Sequence, residues 1–320
     1  MVSASADCTL RVWRLADGAC LRTLSGHTAS GRAVMDVGGG RVASSGRDGV
    51  LRMWDVLSGK QLQQTPTGGG WGGIWCAAAV WGNRIATGHH GGEIRLWSLG
   101  YDMGAAGVLQ GHTGTVISLA VVGGGTERQL VLASGGGSHD RSVRLWDVDS
   151  GSCTAVLSGH AGAVFCLVDL GGGRLLSGSL DRSLRVWNTT TGACLAIVPN
   201  AQGDGEEGAI TAACALPGGT STGSWGGTVQ RWKWNEGTSA LTPDGAALQL
   251  ESSWVDSLVV VPGPDGALQL LAGCGNGMLS VLGTGGALQL QAALGGHSAT
   301  IYMVAVMMVG ADTISLRVAG

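Results

Sequence analysis

Residues 177–187 read SGSLDRSLRVW, and 17 positions before Ser177 stands His160, the second residue of a Gly-His pair. Ser177, His160 and Asp181 are the side chains of a hydrolytic triad, and read alone they suggest an activated nucleophile. The rest of the chain decides the matter, because the arrangement recurs. SASADCTLRVW ends at Trp13, SSGRDGVLRMW at Trp54, TGHHGGEIRLW at Trp97, SGGGSHDRSVRLW at Trp146 and TGSWGGTVQRW at Trp232. AGCGNGMLSVL superposes on these and puts Leu282 where the others put Trp. The intervals between these ends are 41, 43, 49, 41, 45 and 50 residues. A near-constant period of about 40 to 50 residues, each with an alternating apolar strand, signals a stacked array of β units.

Each unit reads as four short strands with glycine-rich turns. One such sheet cannot bury both faces, so units must stack, and a closed ring hides the edges that would otherwise pair with other chains. The expected fold is therefore all-β, with residues 1–320 as a single domain of seven four-stranded antiparallel blades. Their third strands should end near residues 13, 54, 97, 146, 187, 232 and 282. The chain begins within a unit, and GGHSATIYMVAV near the far end supplies a Gly-His pair and an inner strand at about 301–306. The ring is expected to close by pairing that strand with the N-terminal blade. The tail 307–320 has no assigned place, and a start inside a unit leaves room for residues before Met1 in a longer protein.

Gly-His, then Ser or Thr, then Asp, then Trp-Asp or a variant, as in RLWDVDSG and RMWDVLSG, resembles the WD-repeat β-propeller family over essentially the whole chain. The resemblance implies that strand a of each blade lies innermost and strand d outermost, and that function lies in presenting surfaces to partners. It also gives the opening triad another meaning. In the family these residue types form a buried relay from Trp to hydroxyl to His to Asp. The sets are His27, Ser44, Asp48 and Trp54; His112, Ser134, Asp140 and Trp146; His160, Ser177, Asp181 and Trp187; and, through closure, His297, Ser3, Asp7 and Trp13. Such a relay ties strands and loop together and satisfies buried polar groups; no catalytic residue is assigned. Blades three, six and seven carry Gly70 and Gly91, Glu206 and Gly226, and Glu251 and Asn276 at the His and Asp positions, and should be less well clamped.

Composition narrows the function further. The chain has 59 Gly, 12 Trp, two Tyr and one Phe, with 13% charged residues and a formal net charge of −3. Basic residues do not cluster, which argues against direct nucleic-acid binding. No stretch approaches the roughly 18 apolar residues of a membrane helix, and no secretory signal opens the chain. The eight cysteines form no C-x-x-C pair, so neither metal nor cofactor is expected. An intracellular location, cytoplasmic or nuclear, follows as the default.

The family places the d–a loops and b–c turns on one rim. Superposing the units puts Arg47, His90, His139 and Trp225 at the b–c turns and Trp71 and Trp254 at the starts of strand a. Trp, His and Arg suit a partner surface, so these six are the candidate binding residues. The arginine of each R-x-W (Arg11, Arg52, Arg95, Arg144, Arg185) is expected to lay its stem on the sheet with its head in solvent. The reading is a non-catalytic scaffold for proteins or peptides, a monomeric domain within a larger complex, such as a substrate-recruiting or regulatory assembly. The alternatives are a reader of modified peptides through a rim aromatic cage and, behind it, an enzyme with a site in the central channel.

Overall fold

Each Trp-ended stretch, and the Leu282 stretch with them, forms the third strand of an antiparallel sheet, and seven such sheets make up the molecule. The computed structural model describes residues 1–68, 73–100, 103–123, 130–203, 205–251, 254–263 and 266–307. Blade 2 shows the pattern: strand a, Gly31–Gly38; strand b, Arg41–Gly46; strand c, Val50–Asp55; strand d, Gln61–Pro66, hydrogen-bonded in that order. Blades 3 to 5 and 7 repeat it, and blade 6 adds a short strand, Leu248–Gln249, beside its strand c.

Blade 1 is assembled from two stretches nearly 300 residues apart in the chain, 2–25 and 301–305. Ile301–Ala305 lies beside Val2–Ser5 with Val2 opposite Ala305 and Ser3 opposite Val304, and Thr9–Trp13 and Cys20–Ser25 complete the sheet. The ring of seven four-stranded blades is thereby closed.

The core lies between blades. Seven buried clusters fill the seven interfaces, and each contains the strand-c Trp of one of the two blades: Trp54, Trp97, Trp146, Trp187, Trp232 and Trp13, with Leu282 in the seventh. A flat indole therefore acts as a wedge where two twisted sheets diverge. Leu282 is smaller, and its cluster draws in Leu250 and Leu288, from two of the recurring ALQL stretches.

Nearer the axis the blades approach more closely. Gly178 in strand b of blade 5 faces strand a of blade 6, and a Cβ there would lie 2.5 Å from Ile210 Cγ2. Gly88, Gly223 and Gly273 stand in the same relation to Val116, Val255 and Ile301. Glycine in one sheet and a β-branched residue in the next fit together because the absent side chain admits the present one.

Every inner strand also carries a β-bulge at its second residue. In blade 2, Gly31 pairs with Gly46 and Ala33 with Ser45, leaving Arg32 extra; the same shift leaves Trp75, Ile117, Phe165, Thr211, Asp256 and Tyr302 extra in the other blades. A bulge re-aims the side chain it frees. All seven residues line one cavity on the ring axis.

Candidate functional site

The four histidine sets converge as relays. Trp187 Nε1–H donates to Ser177 Oγ at 2.8 Å, Ser177 Oγ lies 2.8 Å from His160 Nε2, and His160 Nδ1 lies 2.9 Å from Asp181 Oδ2. With Asp181 accepting at Nδ1, that nitrogen carries the proton and Nε2 accepts from the hydroxyl. Blade 1 has the same chain through Trp13, Ser3, His297 and Asp7, at 2.8, 2.7 and 2.8 Å. Blade 2 has it through Trp54, Ser44, His27 and Asp48, at 2.8, 2.8 and 3.0 Å. In blade 4, Trp146 and His112 meet Ser134 at 2.7 and 2.6 Å, and His112 Nδ1 lies 3.0 Å from Asp140 Oδ1, off the line of a good hydrogen bond.

All four serines are wholly buried, so none of these hydroxyls can meet a substrate. Burial opposes ionisation of Asp48, Asp140 and Asp181, but hydrogen bonds from His27, from Ser142 and from His160, in turn, outweigh it and hold each carboxyl well below its usual range. Stability from these depressed values is present above the ordinary carboxyl range and is lost as pH falls below it.

One expectation is met in part and another needs correction. Blade 3 keeps part of the clamp: Trp97 Nε1–H donates to Thr87 Oγ1 at 2.8 Å, and an imidazole comes from His89, two residues along the same strand, with Nε2 2.9 Å from Thr87 Oγ1, but His89 Nδ1 is buried with no partner among the described residues, so no aspartate completes the relay. Burial holds His89 neutral, lowering it to about 4. Blade 6 keeps Trp232 on Thr222 at 2.7 Å, while the Gln202 amide bonds the Thr222 and Thr228 carbonyls at 3.0 and 3.2 Å. In blade 7, Ala272 and Leu282 replace hydroxyl and indole with apolar groups, both fully buried. The R-x-W arginines are not uniformly headed into solvent either. Arg52 is 5% exposed and pairs with Asp48 at 2.7 Å, and Arg95 pairs with Glu93 at 2.7 Å.

The rim forms as the b–c turns bond the starts of strand a: Arg47 N–H to Ser30 O, Leu180 N–H to Ala163 O, Trp225 N–H to Ala209 O and Gly275 N–H to Trp254 O, at 2.9 to 3.0 Å. On it the candidate residues fall into two groups. Trp225 and Trp254 approach to 5.9 Å between ring centroids at 52°, and Trp254 is 41% exposed. The 3-10 turn Glu206–Gly208 abuts them, with Gly226 N–H donating to Glu207 O at 2.7 Å. Arg47 and His90 instead gather on Trp75, Arg47 at 5.1 Å from the ring centroid and His90 stacked at 6.5 Å and 27°. His139 stands exposed beside the start of strand a in blade 4, and Trp71 lies outside the described residues.

The spacing missed Arg32, Trp75, Asp256 and Tyr302 as a group. Arg32 lies 3.9 Å from the Tyr302 ring centroid and 4.7 Å from that of Trp75. Burial raises Asp256 to about 6, with Arg32 pulling the other way. The signal was one side chain per blade at the second position of strand a, two positions beyond Trp254 in blade 7 and four beyond Trp71 in blade 3. Among the described residues no cluster of metal-ligating side chains occurs, and no helix is long and apolar enough to cross a membrane.

Comparison with known proteins agrees with this architecture. The family model for the WD domain, G-beta repeat, matches residues 18–55, 105–147 and 151–188. The nuclear distribution protein PAC1-2 of Uncinocarpus reesii is 31% identical over 173 residues, 47% of this chain and 36% of that protein. The ribosome biogenesis protein WDR12 homolog of Nematostella vectensis is 33% identical over 134 residues, 41% of this chain and 30% of that protein. The chain thus matches about a third of the length of these relatives. Among solved structures, U3-55K superposes with a TM-score of 0.73 at 24% identity, covering 86% of this chain and 84% of the other, a likeness of fold. The chain thus carries WD, G-beta repeats and folds as a seven-bladed β-propeller closed by pairing of its first and last described strands.

Proposed function

We propose that the chain is a non-catalytic interaction scaffold, a single propeller domain that offers its rim and blade sides to protein or peptide partners within a larger intracellular assembly. The observation that carries this is the Trp225–Trp254 pair, two indoles from adjacent blades held together at the rim with one of them 41% exposed. Trp is the residue type whose loss costs an interface most, especially when clustered. The named relatives support the reading by their diversity: nuclear distribution and ribosome biogenesis share a repeat, as expected where one scaffold is reused with different surfaces. Direct nucleic-acid binding is disfavoured by 19 basic against 22 acidic residues.

Affinity capture from cell extract with the wild type and a Trp225→Ala/Trp254→Ala variant tests the proposal. The variant is expected to lose partners that the wild type retains, and identical partner sets would sink the rim assignment. The same pair favours a second reading, a cage for a methylated amine, because Glu206 and Glu207 adjoin it. That reading requires a trimethyl-lysine peptide to bind more tightly than its unmodified counterpart.

A further inference from the structure

The channel mouth holds a second polar constellation, separate from the Trp225–Trp254 pair. Its cavity measures about 140 Å3 and includes Arg32, Trp75, Asp256 and Tyr302 in its wall. Arg32 is stacked against both Tyr302 and Trp75, and Arg47 approaches the same Trp75 ring from the adjoining turn. Aromatic rings cover the guanidinium faces and leave its N–H donors in the plane. Arg32 Nε–H and the Trp75 indole N–H are both buried donors with no acceptor among the described residues. The acid in the wall, Asp256, feels the Arg32 charge, yet its Oδ2 is itself buried without a hydrogen-bond partner among the described residues.

Two cations on one indole, beside a buried Trp75 N–H that is unmet among the described residues, favour an anionic acceptor, and the planar fork of Arg32 suits one with two oxygens side by side, against the opposing charge of Asp256 in the same wall. The cavity is smaller than the roughly 300–1,000 Å3 of small-molecule sites. A group entering it is therefore the tip of something larger.

We propose that the channel mouth receives a carboxylate of a protein partner, seated on the in-plane donors of Arg32 with the Trp75 indole N–H and the Arg47 charge beside it. This rests on the scaffold reading and names one chemical feature of the partner.

The test is a titration of the 15N-labelled protein at constant ionic strength with three blocked peptides. Acetyl-Gly-Glu-Gly-amide offers a side-chain carboxylate, acetyl-Gly-Gly-Gly with a free C-terminus offers a terminal one, and acetyl-Gly-Gln-Gly-amide is neutral. At least one carboxylate peptide is expected to shift the Trp75 indole and Arg32 Nε–H resonances saturably, in the millimolar range, and the Gln peptide to leave them in place; which one binds identifies the source. Arg32→Lys keeps the charge and loses the fork, and is expected to weaken binding by about tenfold. Its thermal midpoint checks that it folds, and the Glu/Gln contrast on the wild type decides the matter even if it does not. Absence of a saturable shift with either acid, or equal shifts with the Gln peptide, overturns the proposal. Failure here with partner capture still dependent on Trp225 and Trp254 removes this seat alone; the reverse removes the wider rim reading.

Discussion

Ser177 is held from two sides, accepting from the Trp187 indole and bonded to His160, all of it out of water. Removing the hydroxyl strands a buried donor and a buried acceptor, and an unmet buried group costs about 1–3 kcal/mol. Ser177→Ala is accordingly expected to lower the unfolding free energy by about 1–3 kcal/mol, read from urea denaturation at neutral pH. An unchanged midpoint would show that the relay contributes no stability. Blade 7 shows why the relay can be dispensed with: Ala272 and Leu282 replace both partners together, so neither an indole N–H nor a relay hydroxyl is left unmet at these positions. The complete sets were legible because four residue types recur at fixed spacings. His89 and Gln202 were not, because each brings its polar group from a different backbone position from that of the loop histidine. The Arg52 head escaped notice for a related reason: sequence places its stem, but only the fold brings Asp48 beneath it.

At the scale of the strand, alternation of apolar and polar residues announced the sheets, and turn glycines announced their ends. The bulges left no such mark. One extra residue at the head of strand a changes neither the count of apolar positions nor the period, yet it turns Arg32, Trp75 and Tyr302 toward a common cavity. The rim residues, which follow from superposing unit on unit, were therefore legible while the channel mouth was not. The strand-b glycines, which look like mere flexibility in sequence, are fitting pieces in three dimensions. In Gly178→Ala the new Cβ would sit 2.5 Å from Ile210 Cγ2 and 2.6 Å from Cys166 Sγ. Overpacking of this kind costs about 1–3 kcal/mol, so a drop in thermal midpoint is expected. A stability equal to wild type would mean that blades 5 and 6 are packed more loosely at this point than the distances say.

For the whole molecule the decisive contact is the pairing of Ile301–Ala305 with Val2–Ser5, which brings His297 onto Ser3 and Asp7. It buries Ile301 and Val304 against blade 7 and Ala305 against blade 2. A variant ending at Gly296 loses the inner strand of one blade, one relay and parts of two interblade cores. Its urea unfolding is expected to show a lower midpoint and a smaller dependence on denaturant than that of the full chain. Retention of the wild-type midpoint and slope would refute closure by this strand. That the ring closes through the two ends was legible because the Gly-His half of one unit and the Trp half of another complement each other.

The seam also sets an order of events on the ribosome. Strand b of blade 1 begins at residue 2 and its strand-a partner at residue 301. At roughly 5–20 residues per second, the first must wait on the order of 15–60 s for the second. During that interval the blade made first has an open inner edge, while the later blades can form one after another beside it. Of the seven blades, the one whose strand b is made first is thus the last to be completed, and its open inner edge is the part that a chaperone would have to shield.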